Sequence, residues 1–271
     1  VVKAPNGVNV VNIAAPGAGG VSRNNFSDYN VNRAGLILNN ASVRGYGNGA
    51  VNTDLGGVIM VNSHLVNSGS ARVILNQVTS NRISRINGFT EIAGTTADLI
   101  IANPNGIMIN GAGFINTDRL GLVVGQEVVS NNEINNLGGT VNNDYNFDDN
   151  LYFKITAAPH LESGFLPKLT ISESGLDLTQ VDRTSFVANI IEINAGIYAE
   201  NNNVSFLAGD NVYDYNEDVV DAIDDVGDVD NAGIVDDVDN AGTVDSSVNS
   251  GAEGADDNET GDSSVNNDIN Q

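Results

Sequence analysis

Few side chains in this sequence have the type and spacing that chemistry needs. Carboxylates are the most abundant candidates. The adjacent pair Asp148-Asp149 has the composition of a glycosidase acid and base, and some pectin-degrading enzymes are solenoids of β-strands. A carbohydrate-active site, however, needs several Asp with nearby Lys or Arg on matching strands, and no such set is visible. Asp224-Asp225, Asp228, Asp230 and Asp236-Asp237-Val238-Asp239 offer hard oxygen ligands for calcium, yet the glycine-paired nonapeptide calcium repeat is missing. A solvated acidic linker accounts for the same residues. The two histidines, His64 and His160, lack the spacing of a zinc helix and are expected on the surface or in turns. No cofactor is expected, because no nucleophile elbow, phosphate loop or dinucleotide fingerprint occurs. The absence of Cys excludes disulfides and thiolate metal sites. The sequence points away from an enzyme.

Charge sharpens this reading. The chain of 271 residues has a formal net charge of −24. All 11 Lys and Arg precede Thr184, and residues 210–271 carry 19 acidic side chains and no basic one. That leaves 16 acids and 11 bases in residues 1–209. Such a tail repels phosphate, so nucleic acid is not an expected partner. No apolar run is long enough to span a bilayer. Val1-Val2-Lys3-Ala4-Pro5 reads as mature chain, so an exported form is expected to have shed its signal peptide.

The elements that would position any site are short. Short apolar, β-branched runs of three to six residues recur, bounded by Asn or Gly: Val8–Ile13, Leu36–Leu38, Val58–Val61, Val73–Leu75, Leu99–Ala102, Ile107–Ile109, Leu120–Val124, Ile190–Ile193 and Val204–Ala208. Helical periodicity is hard to find. The pattern admits antiparallel sheets in a sandwich or barrel, and equally a coil whose short strands stack turn upon turn. A returning Asn-small-Gly phrase, at Asn67-Ser68-Gly69 and Asn194-Ala195-Gly196, favours the coil, with asparagines stacked in ladders. Residues 144–169 hold Tyr145, Phe147, Tyr152, Phe153 and Phe165 with Pro159 and Pro167, and are expected to leave the coil as a flap covering its side. Beyond Gly209 the composition turns acidic, with disorder expected from about Asp245.

One segment carries a recognisable signature. Ala102-Asn103-Pro104-Asn105-Gly106-Ile107-Met108-Ile109-Asn110-Gly111-Ala112-Gly113-Phe114-Ile115-Asn116-Thr117-Asp118 resembles the hallmark of the filamentous-haemagglutinin-type secretion domain of two-partner secretion exoproteins. The stretch Gly20–Val31 with Gly35–Asn40 resembles the opening of that family, Ser84–Gly88 and Glu91–Gly94 resemble its middle, and Gly175–Asp177, Ile193–Ala199 and Ala208–Asn211 resemble its close. The family's Asn-Pro-Asn-Leu turn is absent, which bears on the subfamily. The resemblance covers residues 1–211. It leaves 212–271 as an acidic Asn-, Gly- and Ser-rich linker or tail, largely disordered.

The resemblance implies an all-β fold: a right-handed parallel β-helix with an N-terminal cap and extra-helical hairpins. It implies a secretion domain recognised in the periplasm by the POTRA region of an outer-membrane barrel transporter. The domain would then emerge at the surface of a Gram-negative bacterium and seed folding of the downstream β-helix. The parent would be an adhesin, a haemolysin or a contact-dependent inhibition toxin, and the domain a monomer. The motif residues expected to set the fold or meet the transporter are Asn103, Pro104, Asn105, Gly106, Ile107, Gly111, Gly113, Asn116 and Asp118. Arg23, Asn24, Asn39, Asn40 and Arg85 are expected docking residues. Pro104 at the second and Asn105 at the third place of a turn, followed by Gly106, is also ordinary β-turn chemistry, so Asn103–Gly106 has two readings: a fold-determining turn, or a transporter contact.

Overall fold

The structure, a computed structural model, describes residues 1–47, 49–129, 151–155, 167–200, 202–209, 211–215 and 220–222. All of these belong to one compact unit, Val1–Asn240. The second unit, Ala241–Gln271, lies outside the described residues, as do the Asp148-Asp149 pair, His160, Pro159, Phe165 and the acidic repeats from Asp224 onward.

The chain winds through three sheets in rotation. After a short β1 (Val2–Lys3), the first turn is β2 (Asn9–Asn12), β3 (Val21–Phe26) and β4 (Asn30–Val31). The second begins with β5 (Leu36–Asn40), leaves the coil as a hairpin of β6 (Ala50–Thr53) and β7 (Gly57–Met60), and returns as β8 (Val73–Val78) and β9 (Ser84–Ile86). The third is β10 (Phe89–Gly94), β11 (Ala97–Ala102) and β12 (Ile107–Ile109). The fourth runs β13 (Ala112–Ile115), β14 (Thr117–Val123), departs through β15 (Gln126–Val128) and β16 (Tyr152–Ile155), and resumes at β17 (Leu169–Ile171). Then follow β18 (Leu176–Asp177), β19 (Arg183–Ala188) and β20 (Ile191–Ile193), and finally β21 (Ile197–Tyr198) and β22 (Asn203–Ala208). The chain leaves the coil as β23 (Asn211–Asp214) and β24 (Val220–Ala222), so strand pairing continues past residue 211.

Like strands stack on like. Sheet one is β1-β2-β5-β10-β13-β18-β21, sheet two β3-β8-β11-β14-β19-β22, and sheet three β4-β9-β12-β17-β20. Every pairing in them is parallel except β1 on β2. This is a parallel β-helix. The segment Val8–Ile13 supplies the first parallel strand of sheet one, and the antiparallel β1 lies outside it as the N-terminal strand of the sheet. Among the described residues the only helical pieces are two 3₁₀ turns, Ala18–Gly20 and Ser63–Leu65, and no helix is long and apolar enough to cross a membrane.

Many strands of sheets one and two are buried on both faces, which explains why they read as continuous apolar runs. In β11, Leu99 and Ile101 point into the coil while Ile100 and Ala102 point out, and in β8 Ile74 points in between the outward Val73 and Leu75. The interior column joins Leu38, Ile92, Phe114, Leu99, Leu120, Phe186, Ile86, Ile109 and Ile171. Outside sheet one, the β6–β7 hairpin brings Val51 and Ile59 onto Val10, Ile37 and Ala93. Outside sheet two, Leu151, Phe153, Ile155, Tyr213 and Tyr215 form a second cover, in a four-stranded sheet of order β15-β16-β23-β24. The aromatic pair Tyr152-Phe153 thus lies in a side cover.

Glu91 fixes the first hairpin. Its carboxylate, 4 % exposed, accepts the backbone N–H groups of Asp54 and Leu55, each at 2.8 Å. Burial pushes this carboxyl above the usual range, while the two N–H donors pull the other way. Replacing Glu91 by Ala strands both donors at a half-buried turn. Equilibrium urea unfolding is expected to show a loss of about 1–3 kcal/mol, with the Ala50–Met60 hairpin becoming the first site of proteolysis.

Candidate functional site

The Asn103–Gly106 motif occupies the corner between sheets two and three. β11 runs apolar up to Ala102, and the chain must then turn to start β12. Pro104 suits the second position of that turn because its φ is already fixed. Gly106 N–H closes the turn onto Asn103 O at 3.2 Å. Gly106 has φ +117°, and a Cβ there would lie 3.0 Å from Lys168 O, so both conformation and close approach call for glycine.

Asn103 is fully buried and its side chain is saturated. Nδ2 donates to Arg82 O and to Ser84 Oγ, each at 2.9 Å, on the previous turn. Oδ1 accepts the Asn105 N–H and Asn105 Nδ2, also at 2.9 Å. Asn105 Nδ2 further donates to Ser80 O at 2.7 Å. The backbone completes the wiring: Asn103 N–H reaches Val123 O on the next turn, Ile107 N–H reaches Lys168 O, and Ser84 N–H reaches Gly106 O. One turn therefore rivets three successive coils. Ile107 is buried in the interior column, and Pro104 is the exposed member of the group.

The rest of the signature is placed in the same way. Gly111 N–H donates to Gly175 O. Gly113 stands opposite Phe89 in the sheet, and a Cβ would fall 2.2 Å from the phenyl ring. Asn116 adopts φ +57°, with Nδ2 donating to Ile92 O at 2.7 Å and Gly94 O at 3.0 Å, and Oδ1 accepting from Thr96 Oγ1. Asp118 is exposed at the start of β14, and its carboxyl is raised by partial burial and by the neighbouring Asp182.

The other candidates do not form one surface. Asn24, Asn39 and Asn40 are buried. Asn24 Nδ2 bonds Leu75 O, Asn39 Nδ2 bonds Asn12 Oδ1 and Met60 O, and Asn40 Nδ2 bonds Ala71 O and Thr95 O. Arg23 is partly exposed but pairs with Glu127 at 2.9 Å. Arg85 is exposed on the outer face of sheet three, in a column with Asn30, Met108, Thr170 and Glu192. That column is polar, unlike the outer faces of sheets one and two. The structure thus brings the Asn103–Gly106 corner beside Arg82 and Arg85 and sets Asn24, Asn39 and Asn40 apart as interior pins. His64 lies in a 3₁₀ turn, with Nδ1 3.1 Å from Ile13 O.

Sequence reasoning did not single out Glu127, Arg119 or Asn62. Asn62, fully buried, donates to Ile13 O and Asn39 O and so joins two turns. Arg119 stacks its guanidinium 3.9 Å above the Tyr215 ring, beside Asp98. Burial raises the Asp98 carboxyl and the Arg119 charge opposes that rise. The charge alternation Asp98, Asp118-Arg119, Asp182-Arg183 was a weak signal for this column. Among the described residues no group of three or more acidic or His side chains is arranged to hold a metal.

Several known proteins are similar to this chain. A family model, described as the TPS secretion domain, matches residues 1–271. The tRNA nuclease CdiA of Escherichia coli (strain STEC_O31) is 41 % identical over 199 residues, covering 73 % of this chain and 5 % of that protein. The 16S rRNA endonuclease CdiA of Enterobacter cloacae is 38 % identical over 201 residues, and the tRNA nuclease CdiA-2 of Burkholderia pseudomallei 36 % over 216, covering 5 % and 6 % of those proteins and 73 % and 80 % of this chain. The chain thus spans about a twentieth of the length of these relatives. The crystal structure of a filamentous hemagglutinin secretion domain superposes with a TM-score of 0.66 at 28 % identity, over 82 % of this chain and 65 % of that one.

Asn103→Ala removes two buried donors and one acceptor and is expected to cost about 1–3 kcal/mol, which lowers the melting temperature by roughly 2–4 °C per kcal/mol for a chain of this size. Pro104→Ala, at an exposed site, separates the two readings of the motif. If the turn only sets the fold, any fall in export on Pro104→Ala comes with a fall in melting temperature; a fall in export without one assigns Pro104 a transporter contact.

Proposed function

The chain belongs to the TPS secretion domain family, and from that membership and its geometry we propose that it is the export module of a large two-partner secretion exoprotein. The parent is read as a contact-dependent growth inhibition toxin of the CdiA kind, with an adhesin as the other member of the same class. Chemistry, in this reading, belongs to other parts of the parent, and the module itself binds and templates. Its partner is an outer-membrane barrel transporter that recognises it in the periplasm through POTRA domains. Its route leads to the surface of a Gram-negative cell, where it acts as a monomer. The coil is the export module, and the acidic residues after the last described strand form its tail.

The observation that carries this reading is the difference between the two ends of the coil. At the N-terminal end the antiparallel β1 closes the edge strand β2 of sheet one, while among the described strands sheets two and three begin at β3 and β4. At the other end, among the described strands, nothing pairs beyond β20, β21 and β22 in their sheets. Ile193 and Tyr198 stand exposed there, 47 % and 63 %. Phe206 stacks on Phe186 with ring centroids 4.8 Å apart, so the aromatic column runs up to that end. Such an end is a template on which a downstream β-helix can add its first turn.

Energetics suit export. No nucleotide is available outside the inner membrane, so the driving force has to come from the chain. A coil in which each turn contacts its neighbours can form stepwise, and each turn folded outside hinders return. The costly nucleus is the first pair of turns, which here holds the densest side-chain wiring: Asn24, Asn39 and Asn62 all join turns one and two.

Co-expression with a candidate barrel transporter tests the proposal. The chain, carrying a signal peptide, should accumulate in the medium only when the transporter is present. Retention in the periplasm with every two-partner transporter tried, by a chain that is folded when purified, would contradict it.

A further inference from the structure

We infer that β16 and β23 form a strap that staples all six turns together and closes last, after the coil itself is complete. The inference concerns the chain alone and stands apart from the transporter reading. The outer face of sheet two offers one apolar side chain or more from each strand: Val21, Val73 and Leu75, Ile100 and Ala102, Val123, Val187 and Leu207. Against them lie five side chains of the strap: Leu151, Phe153 and Ile155 around β16, and Tyr213 and Tyr215 around β23. A cover that shares one apolar cluster with side chains of every turn couples turns that do not otherwise meet, which a simple coil with nearest-neighbour contacts lacks.

The chain order makes the closure late. β16 pairs antiparallel with β15 on one edge and with β23 on the other, in the register Tyr152↔Asp214 to Ile155↔Asn211. Between β16 and β23 the chain must first lay down six strands of the coil, β17 to β22. Until β23 arrives, β16 has an unfilled edge and the outer face of sheet two lacks both tyrosines.

Two anchors hold the strap. At its leading edge Glu127 of β15 pairs with Arg23 of turn one at 2.9 Å and accepts from Gln77 Nε2 of turn two at 2.7 Å. At its closing edge Arg119 donates to Tyr213 Oη at 3.4 Å and lies over the Tyr215 ring, and Tyr215 N–H reaches Leu151 O at 3.0 Å.

Hydrogen exchange on the full 271-residue chain tests this. In the double variant Tyr213→Ser/Tyr215→Ser, amides of Tyr152–Ile155 and Gln126–Val128 should exchange at least tenfold faster, while Leu36–Asn40 and Ile107–Ile109 keep wild-type protection. Phe153→Ala, which weakens the strap from its other strand, should speed exchange at Asn211–Asp214 in the same selective way. Unchanged exchange in the strap, or equal acceleration in strap and coil in both variants, would overturn the inference.

Discussion

Buried asparagine amides at the corners are the interaction on which the rest of this coil depends. Parallel strands satisfy their own backbone groups along the sheets, but at each corner the chain changes direction and leaves N–H and C=O groups without ladder partners. Asn40 answers three of these at once: Nδ2 donates to Ala71 O and Thr95 O at 2.9 Å, and Oδ1 accepts Ala71 N–H at 2.7 Å. Asn62, Asn103 and Asn116 do the same at their own corners. A carboxamide suits the task because it carries two donors and an acceptor in one small neutral plane. An aspartate would bring an unpaired charge into the interior, and a serine reaches too few partners.

That constraint explains the composition. The chain is poor in charge and rich in Asn and Gly because its polar needs are internal and local, set by corners. It also explains how the fold serves a role in transit. Asn62, Asn103 and Asn116 each bond the turn before their own and Asn40 bonds the turn after, so stability accrues with every turn added, in chain order. The covers outside sheets one and two then convert a stack of neighbours into a single body. Sheet three keeps a polar outer column, Asn30 to Glu192, next to the Asn103–Gly106 corner. The signature motif acts in the first instance as structure: of its turn residues, Pro104 alone is exposed.

Much of the coil was legible in the sequence. The β-branched runs ended at Asn and Gly where the strands end, and Leu99–Ala102 and Ile107–Ile109 flank the turn that Pro104 and Gly106 announce. Runs apolar at every residue, which fit neither alternation nor a helix, were the mark of strands buried on both faces. What stayed hidden was partnership across distance. Among the described residues Asn39 and Asn12 form a rung of the expected ladder of stacked asparagines; Asn40, Asn62, Asn103 and Asn116 instead bond backbone carbonyls, which no spacing in the sequence distinguishes. The Asn-small-Gly phrase misled on this point, since Asn67 and Asn194 are exposed. The pairing of Arg23 with Glu127 and the meeting of Tyr213 with Phe153 join residues far apart in the chain, and only the register of the sheets brings them together.

The most direct measurement is the unfolding free energy of Asn40→Leu, which keeps the branched shape of the side chain and removes the carboxamide's hydrogen bonds, read beside Asn40→Ala, which removes the same bonds without adding bulk to the buried corner. If corner amides hold the turns together, each variant orphans Ala71 N–H, Ala71 O and Thr95 O and loses on the order of 2 kcal/mol or more. A denaturation midpoint equal to wild type would contradict the account, because it would mean that apolar packing alone holds the corner.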